Sequence, residues 1–121
     1  MKHQYKGFRR ILSAFKNSFD GLGYVFREEE AFRQDVFLFV VSIPFIFLFD
    51  FSVVERLMLF SSVFLILFAE VVNSVAEAVV DRISAEWHKL SKAVKDMGSF
   101  LVFLSFVYFF VVWVSVFAKF L

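Results

Sequence analysis

Cysteine is absent from the 121-residue chain. Neither a disulfide framework nor thiolate chemistry is available, and no metal is held by sulfur. The two histidines, His3 and His88, are too few and too far apart in sequence for a zinc site, and both read as solvated or interfacial side chains. Charge of one sign is lacking too: 13 basic side chains stand against 12 acidic ones. A polyanion partner needs a basic excess gathered on one face, so nucleic acid is not expected. Only four glycines are present, and none falls in G-x-x-x-x-G-K-[ST] or G-x-G-x-x-G, so neither familiar glycine loop can hold a nucleotide. No serine sits in a nucleophile-elbow pattern. The first twenty residues lack the continuous apolar run of a cleaved signal peptide, and the start reads as mature sequence.

What the chain has in excess is apolar surface. Sixty per cent of it is hydrophobic, 21 residues are phenylalanine, and the mean hydropathy is +0.76. A soluble core of this size cannot bury that much, so lipid is the expected solvent. Near the start, Tyr5, Phe8, Leu12, Phe15, Phe19, Leu22 and Phe26 recur at steps of three and four with Lys6, Arg9, Arg10, Lys16 and Asp20 between them. This predicts an amphipathic helix over 5–27 that lies in the membrane interface, bent or interrupted near Gly21 and Gly23. Three apolar runs follow, giving membrane spans expected at 34–54, 57–82 and 97–119. The first contains Pro44, tolerable if a neighbour such as Ser42 covers the carbonyl it frees. Glu55 and Arg56 read as the tight polar turn between the first two spans. The fold class is therefore an all-α membrane protein, a single domain over 1–121.

Lys and Arg number seven before the first span, one after it (Arg56), four after the second (Arg82, Lys89, Lys92, Lys95) and one at the end (Lys119). By this asymmetry the N-terminus and the second loop are cytoplasmic. The polar half of the second span then approaches the compartment that contains ATP.

That half carries the chemistry. At about 100° per residue, Glu70, Asn73, Ser74, Glu77 and Asp81 fall on one third of the helix circumference. An ionised carboxylate at membrane depth costs on the order of 2.5 to 3.5 kcal/mol, so such a ridge needs partners, a proton or a metal. Three readings are open. The groups bridge helices structurally, with Asn73 bonded across an interface and Glu77 paired to Arg82 or Lys95; they relay protons or ions; or they perform catalysis. Carboxylates plus lysines suit phosphoryl transfer, which needs oxygens for Mg²⁺, cations for phosphate charge and one base for a hydroxyl.

The run Glu70-Val-Val-Asn73-Ser74-Val-Ala-Glu77-Ala-Val-Val-Asp81-Arg82, followed by Lys95-Asp96-Met97-Gly98-Ser99, resembles the signature of the prokaryotic diacylglycerol kinases. Gly7-Phe8-Arg9-Arg10-Ile11 and Glu29-Glu30-Ala31-Phe32-Arg33-Gln34 extend the resemblance over nearly the whole chain. It implies a homotrimeric enzyme of the bacterial cytoplasmic membrane, with three spans and a surface helix per subunit and active sites shared between neighbours. It implies Glu70 as catalytic base, and Glu29 and Glu77 as Mg²⁺ ligands that also contact ATP. Glu86, His88, Lys95 and Asp96 would contact the nucleotide, with Arg10 and Ser18 beside the phosphates. Asn73 and Ser99, with Arg10 and Glu70, would line the lipid site, and Arg33 and Asp81 would support it. Ser13 and Asp20 depart from the family, which carries basic residues there. The Ala-Phe-Arg-Gln and Lys-Asp-Met-Gly-Ser forms look more like the diacylglycerol enzymes than the relatives that phosphorylate undecaprenol. The competing class is a noncatalytic accessory subunit whose polar ridge docks a partner helix.

Overall fold

A computed structural model describes residues 6–121, so Lys2, His3 and Tyr5 lie outside the described residues. Among the described residues there are four α-helices and no strand: α1 (Phe8–Glu28), α2 (Glu30–Leu48), α3 (Val53–Ile83) and α4 (Lys89–Phe117), with a last 3₁₀ turn at Ala118–Phe120. Three of them, α2, α3 and α4, are long and apolar enough to cross a membrane. The chain is a helical membrane protein.

Gly7 opens α1 with a φ of 62°, a left-handed conformation that suits glycine alone. The helix then runs unbroken through Gly21 and Gly23, where the sequence suggests a bend. Its apolar stripe has no core to meet: Phe8, Phe15 and Phe19 are each more than 60% exposed. Such a stripe on a helix joined to three spans is what an interfacial helix presents to lipid.

Every span starts earlier than apolar periodicity suggests, because polar residues continue a helix at no cost once it has left the hydrocarbon. α2 begins at Glu30 and ends at Leu48, six residues short of the expected 54. The turn that follows is set by Ser52 and not by charge. The Ser52 Oγ accepts from the Glu55 amide at 3.1 Å and the Ser52 amide donates to Glu55 Oε1 at 2.8 Å, a reciprocal capping box. Glu55 and Arg56 thus belong to the first turn of α3, which corrects their reading as a turn. Arg56 reaches back to donate to the carbonyls of Ile46 and Phe49, both at 3.1 Å, and so satisfies the C-terminal end of α2. Pro44 frees the carbonyl of Val40, four residues earlier. The nearby Ser42 hydroxyl does not take it up and donates instead to Phe39 O at 2.6 Å.

The second loop shrinks to 84–88, because α4 begins at Lys89 and not near 97. His88 caps it, its Nδ1 accepting from the Leu90 amide at 3.0 Å. α3 and α4 form an antiparallel pair tied along its length. Lys119 meets Glu55 at 2.9 Å, Trp113 Nε1 donates to the buried Ser62 hydroxyl at 2.8 Å, and Lys95 meets Asp81 at 2.9 Å. α2 packs on α3 beside this pair. Ile46, Phe51, Leu59 and Val112 form the core at the Lys119 end, roofed by stacked rings of Trp113 and Phe117.

Candidate functional site

The opposite end of the bundle is polar. Here α3 carries Glu70, Asn73, Glu77 and Asp81 on the face turned to α2 and α4, the period of the helix having set them one above another. Glu70 is buried, 7% exposed, and Asn73 and Glu77 are half-buried. Glu77 and Glu29 both lie close enough to bear electrostatically on Glu70. Glu29 gets there because it is the single non-helical residue between α1 and α2, with extended backbone. Of the three successive glutamates, Glu28 and Glu30 are exposed and only Glu29 is partly enclosed. The structure thus brings Glu29 near Glu70 and Glu77, which lie more than forty residues further along the chain.

Asn73 is a point of contact between α3 and α4. Its side-chain amide lies beside Glu70, while its carbonyl oxygen is buried with no hydrogen-bond partner among the described residues. α4 packs closely there: a Cβ added at Gly98 would fall on that same oxygen. Ser99, next along α4, is exposed.

Lys95 pairs with Asp81 and also lies near Glu77, which joins the acidic ridge to the loop side. A cleft of about 390 Å³ opens there, lined by Asp81, Glu86, His88, Lys92, Lys95 and Asp96 among others. Lys92 and Asp96 make their own pair at 2.7 Å. The cleft combines cations with hydrogen-bonding groups, as a phosphorylated ligand requires.

Between α1 and α3 lies a second cleft of about 440 Å³, walled by Leu22, Val25, Phe32, Val71 and Val75 and touched by Ser18 and Ser74. It is apolar and suits an acyl chain. Ser18 donates to the Ala14 carbonyl at 2.9 Å, and Arg10 shares with it a groove made by α1 residues alone. Arg33 is engaged with main chain, donating to the carbonyls of Phe26 at 2.8 Å and Arg27 at 2.9 Å across the α1–α2 joint.

Among the described residues no three His, Asp or Glu side chains close into a cage of metal ligands. A nucleotide-bound Mg²⁺ needs no such cage: it keeps several waters and takes one or two protein carboxylates with the phosphates. Glu29 and Glu77, both partly exposed, fit that requirement.

One functional candidate escapes the sequence pattern. Asp35 on α2 is as buried as Glu70, 7% exposed, and the two carboxyl groups lie near enough across the α2–α3 interface to bear on each other electrostatically. Its Oδ2 has no hydrogen-bond partner among the described residues. The available signal was its place in the stripe Phe32, Asp35, Ser42, Ile46, spaced as one helix face and all buried.

Residues 16–117 match the sequence pattern of the family described as prokaryotic diacylglycerol kinase. The chain is 46% identical over 110 residues to a diacylglycerol kinase of Pseudomonas aeruginosa, covering 91% of this chain and 89% of that one. It is 37% identical over 113 residues to a diacylglycerol kinase of Escherichia coli, with 93% of each covered. A diacylglycerol kinase of Helicobacter pylori is 34% identical over 108 residues, covering 89% of this chain and 84% of that one.

Proposed function

The chain belongs to the prokaryotic diacylglycerol kinase family, and from that premise we propose that it transfers the γ-phosphoryl group of ATP to the primary hydroxyl of diacylglycerol, giving phosphatidic acid and ADP at the cytoplasmic face of the membrane. The observation that carries this reading is the convergence of Glu29, Glu70, Asn73, Glu77 and Lys95 at one end of the bundle, between an apolar cleft and a polar one.

Phosphoryl transfer asks a protein to position two oxygens in line and to neutralise charge, with little covalent chemistry of its own. Here the polar cleft takes the nucleotide, with Lys95 aimed at its phosphates and Glu86, His88 and Asp96 around it. The apolar cleft takes the acyl chain, which leaves the glycerol hydroxyl beside Glu70 and Asn73. Glu70 accepts the hydroxyl proton as the oxygen attacks. It suits this role because it is the most enclosed of the three glutamates and is not committed to a cation. Glu29 and Glu77 would hold Mg²⁺, which would supply neutralisation of phosphate charge. Arg10, Ser18 and Ser99 complete the substrate contacts from a neighbouring surface, and Arg33 and Asp81 hold the joint and Lys95 in place.

The active form is a homotrimer with its N-termini in the cytoplasm. Three spans enclose too little interior to keep an acidic ridge from lipid, and neighbouring subunits supply the missing wall.

The test is transfer of label from [γ-³²P]ATP to lipid in mixed micelles, run with diacylglycerol, with undecaprenol and with no acceptor. Diacylglycerol is expected to be the preferred acceptor, and Glu70→Gln to keep the oligomer while losing about 10²- to 10⁴-fold in kcat. Preference for undecaprenol overturns the acceptor, and no transfer to either lipid points to the noncatalytic accessory role. A Glu70→Gln enzyme with wild-type turnover removes the base assignment.

A further inference from the structure

Of the two lysines that line the polar cleft, the reaction as described employs Lys95 and leaves Lys92 without a task. Lys92 stands one turn of α4 nearer the 84–88 loop and lines the same space of about 390 Å³. Residues three apart share a helix face and lie about 4.5 Å apart along its axis. The two ammonium groups differ in how they are held. Lys95 is tied across to α3 by Asp81 at 2.9 Å. Lys92 meets Asp96 of its own helix at 2.7 Å, with both side chains more than 60% exposed. An exposed pair of this kind contributes little, and a lysine that precedes its acid takes the weaker of the two orders along a helix. The Lys92 ammonium can therefore leave Asp96 for a more highly charged acceptor at small cost. Polyphosphate is such an acceptor, because a lysine offers phosphate oxygens a compact charge with three donors.

The charge balance of the cleft argues in the same direction. Its walls carry three carboxylates, Asp81, Glu86 and Asp96, against the two lysines. A nucleotide adds further negative charge, and Lys95 is already committed to Asp81. Lys92 is the other lysine among the lining residues that can answer it.

We propose that Lys92 is a nucleotide-binding residue: its ammonium holds the α- and β-phosphates, farther from the transferred group than Lys95. The inference rests on the polar cleft being the nucleotide site. α3 and α4 are antiparallel, so the step from Lys95 to Lys92 leads towards the loop and away from Glu70 and Glu77. The phosphates at that end are part of ADP and ATP alike. An interaction made equally with substrate, transition state and product lowers KM without raising kcat. Lys92 thus sets affinity, while Lys95 stays with the group that moves.

The experiment measures kcat, KM for MgATP, KM for lipid and competitive inhibition by MgADP on purified oligomers in mixed micelles. It compares wild type with Lys92→Gln, Lys92→Arg, Lys89→Gln and Lys95→Gln. Lys92→Gln is expected to raise KM for MgATP and Ki for MgADP by one common factor, about 5- to 10-fold. Its kcat and its KM for lipid stay within about two-fold of wild type. Lys92→Arg keeps the charge and restores both nucleotide constants. Lys89→Gln removes a charge from the same turn of α4 but outside the cleft lining, and leaves both constants unchanged. Lys92 is exposed, so its substitution does not threaten folding. Wild-type nucleotide constants in Lys92→Gln overturn the proposal. So do an equal rise in Lys89→Gln, a loss confined to kcat, or a rise for MgATP that MgADP does not share. Failure of the cleft as the nucleotide site is separate: Lys95→Gln then matches wild type as well, whereas a defective Lys95→Gln beside a normal Lys92→Gln rejects Lys92 alone.

Discussion

Gly98 is a place where α3 and α4 approach too closely for a Cβ, and it sits where Asn73 orients beside Glu70. In an open helix an alanine at such a position gains about 0.5 to 1 kcal/mol over glycine. Here the added methyl lands on the Asn73 amide oxygen, so α4 must retreat or Asn73 must turn. Overpacking of this kind costs about 1 to 3 kcal/mol, which outweighs the gain. Gly98→Ala is therefore expected to melt at a lower temperature in micelles and to lose kinase activity as Asn73 leaves Glu70. Unchanged melting and turnover would show that the interface yields freely. The glutamates of α3 were legible in the sequence because a single helix sets them on one face. Asp35 was not, since Glu70 lies thirty-five residues away on another element and only packing brings the two near each other. Gly98 likewise reads as part of a motif, and its reason is visible only with α3 against it.

For the elements, the existence and kind of all four helices follow from apolar periodicity and run length, whereas their ends do not. Charge alone sets a turn at Glu55–Arg56, yet the Ser-x-x-Glu spacing of Ser52 and Glu55 is a helix-start pattern, and the structure uses it as one. The first two turns of α4 do carry an apolar stripe, Leu90, Ala93, Val94 and Met97 at helical spacing, but Lys89, Lys92, Lys95 and Asp96 make the stretch too polar for a membrane span, so run length alone places the helix start too late. Ser52→Ala removes one arm of the capping box and is expected to cost about 1 kcal/mol. The loss is read as a lower melting temperature with unchanged kcat, because Ser52 lies at the end of the bundle away from Glu70. A drop in kcat at unchanged stability would instead couple the two ends.

As a whole, the molecule exposes apolar side chains along every span and gathers its ionised groups at the two ends, as lipid solvation demands. Lys and Arg cluster ahead of the first span and only Arg56 follows it closely, so the proposed topology puts the Ser52 end outside and the 84–88 loop in the cytoplasm. The lack of native cysteine makes this easy to check. A lone cysteine at Ser52 in intact spheroplasts is expected to react with a membrane-impermeant maleimide, and one at Ser84 only after permeabilisation. The reverse pattern would put the carboxylates on the side without ATP and end the kinase reading.

The joint between α1 and α2 consists of Glu29 alone, splinted by the two hydrogen bonds that Arg33 sends to the last turn of α1. Peptide planes are stiff, so a one-residue knee bends only through the φ and ψ of that residue. Any swing of the helix on the membrane surface therefore swivels the Glu29 carboxylate with it. Lipid contact on one side of the knee and the aim of the Glu29 carboxylate on the other are one mechanical coordinate.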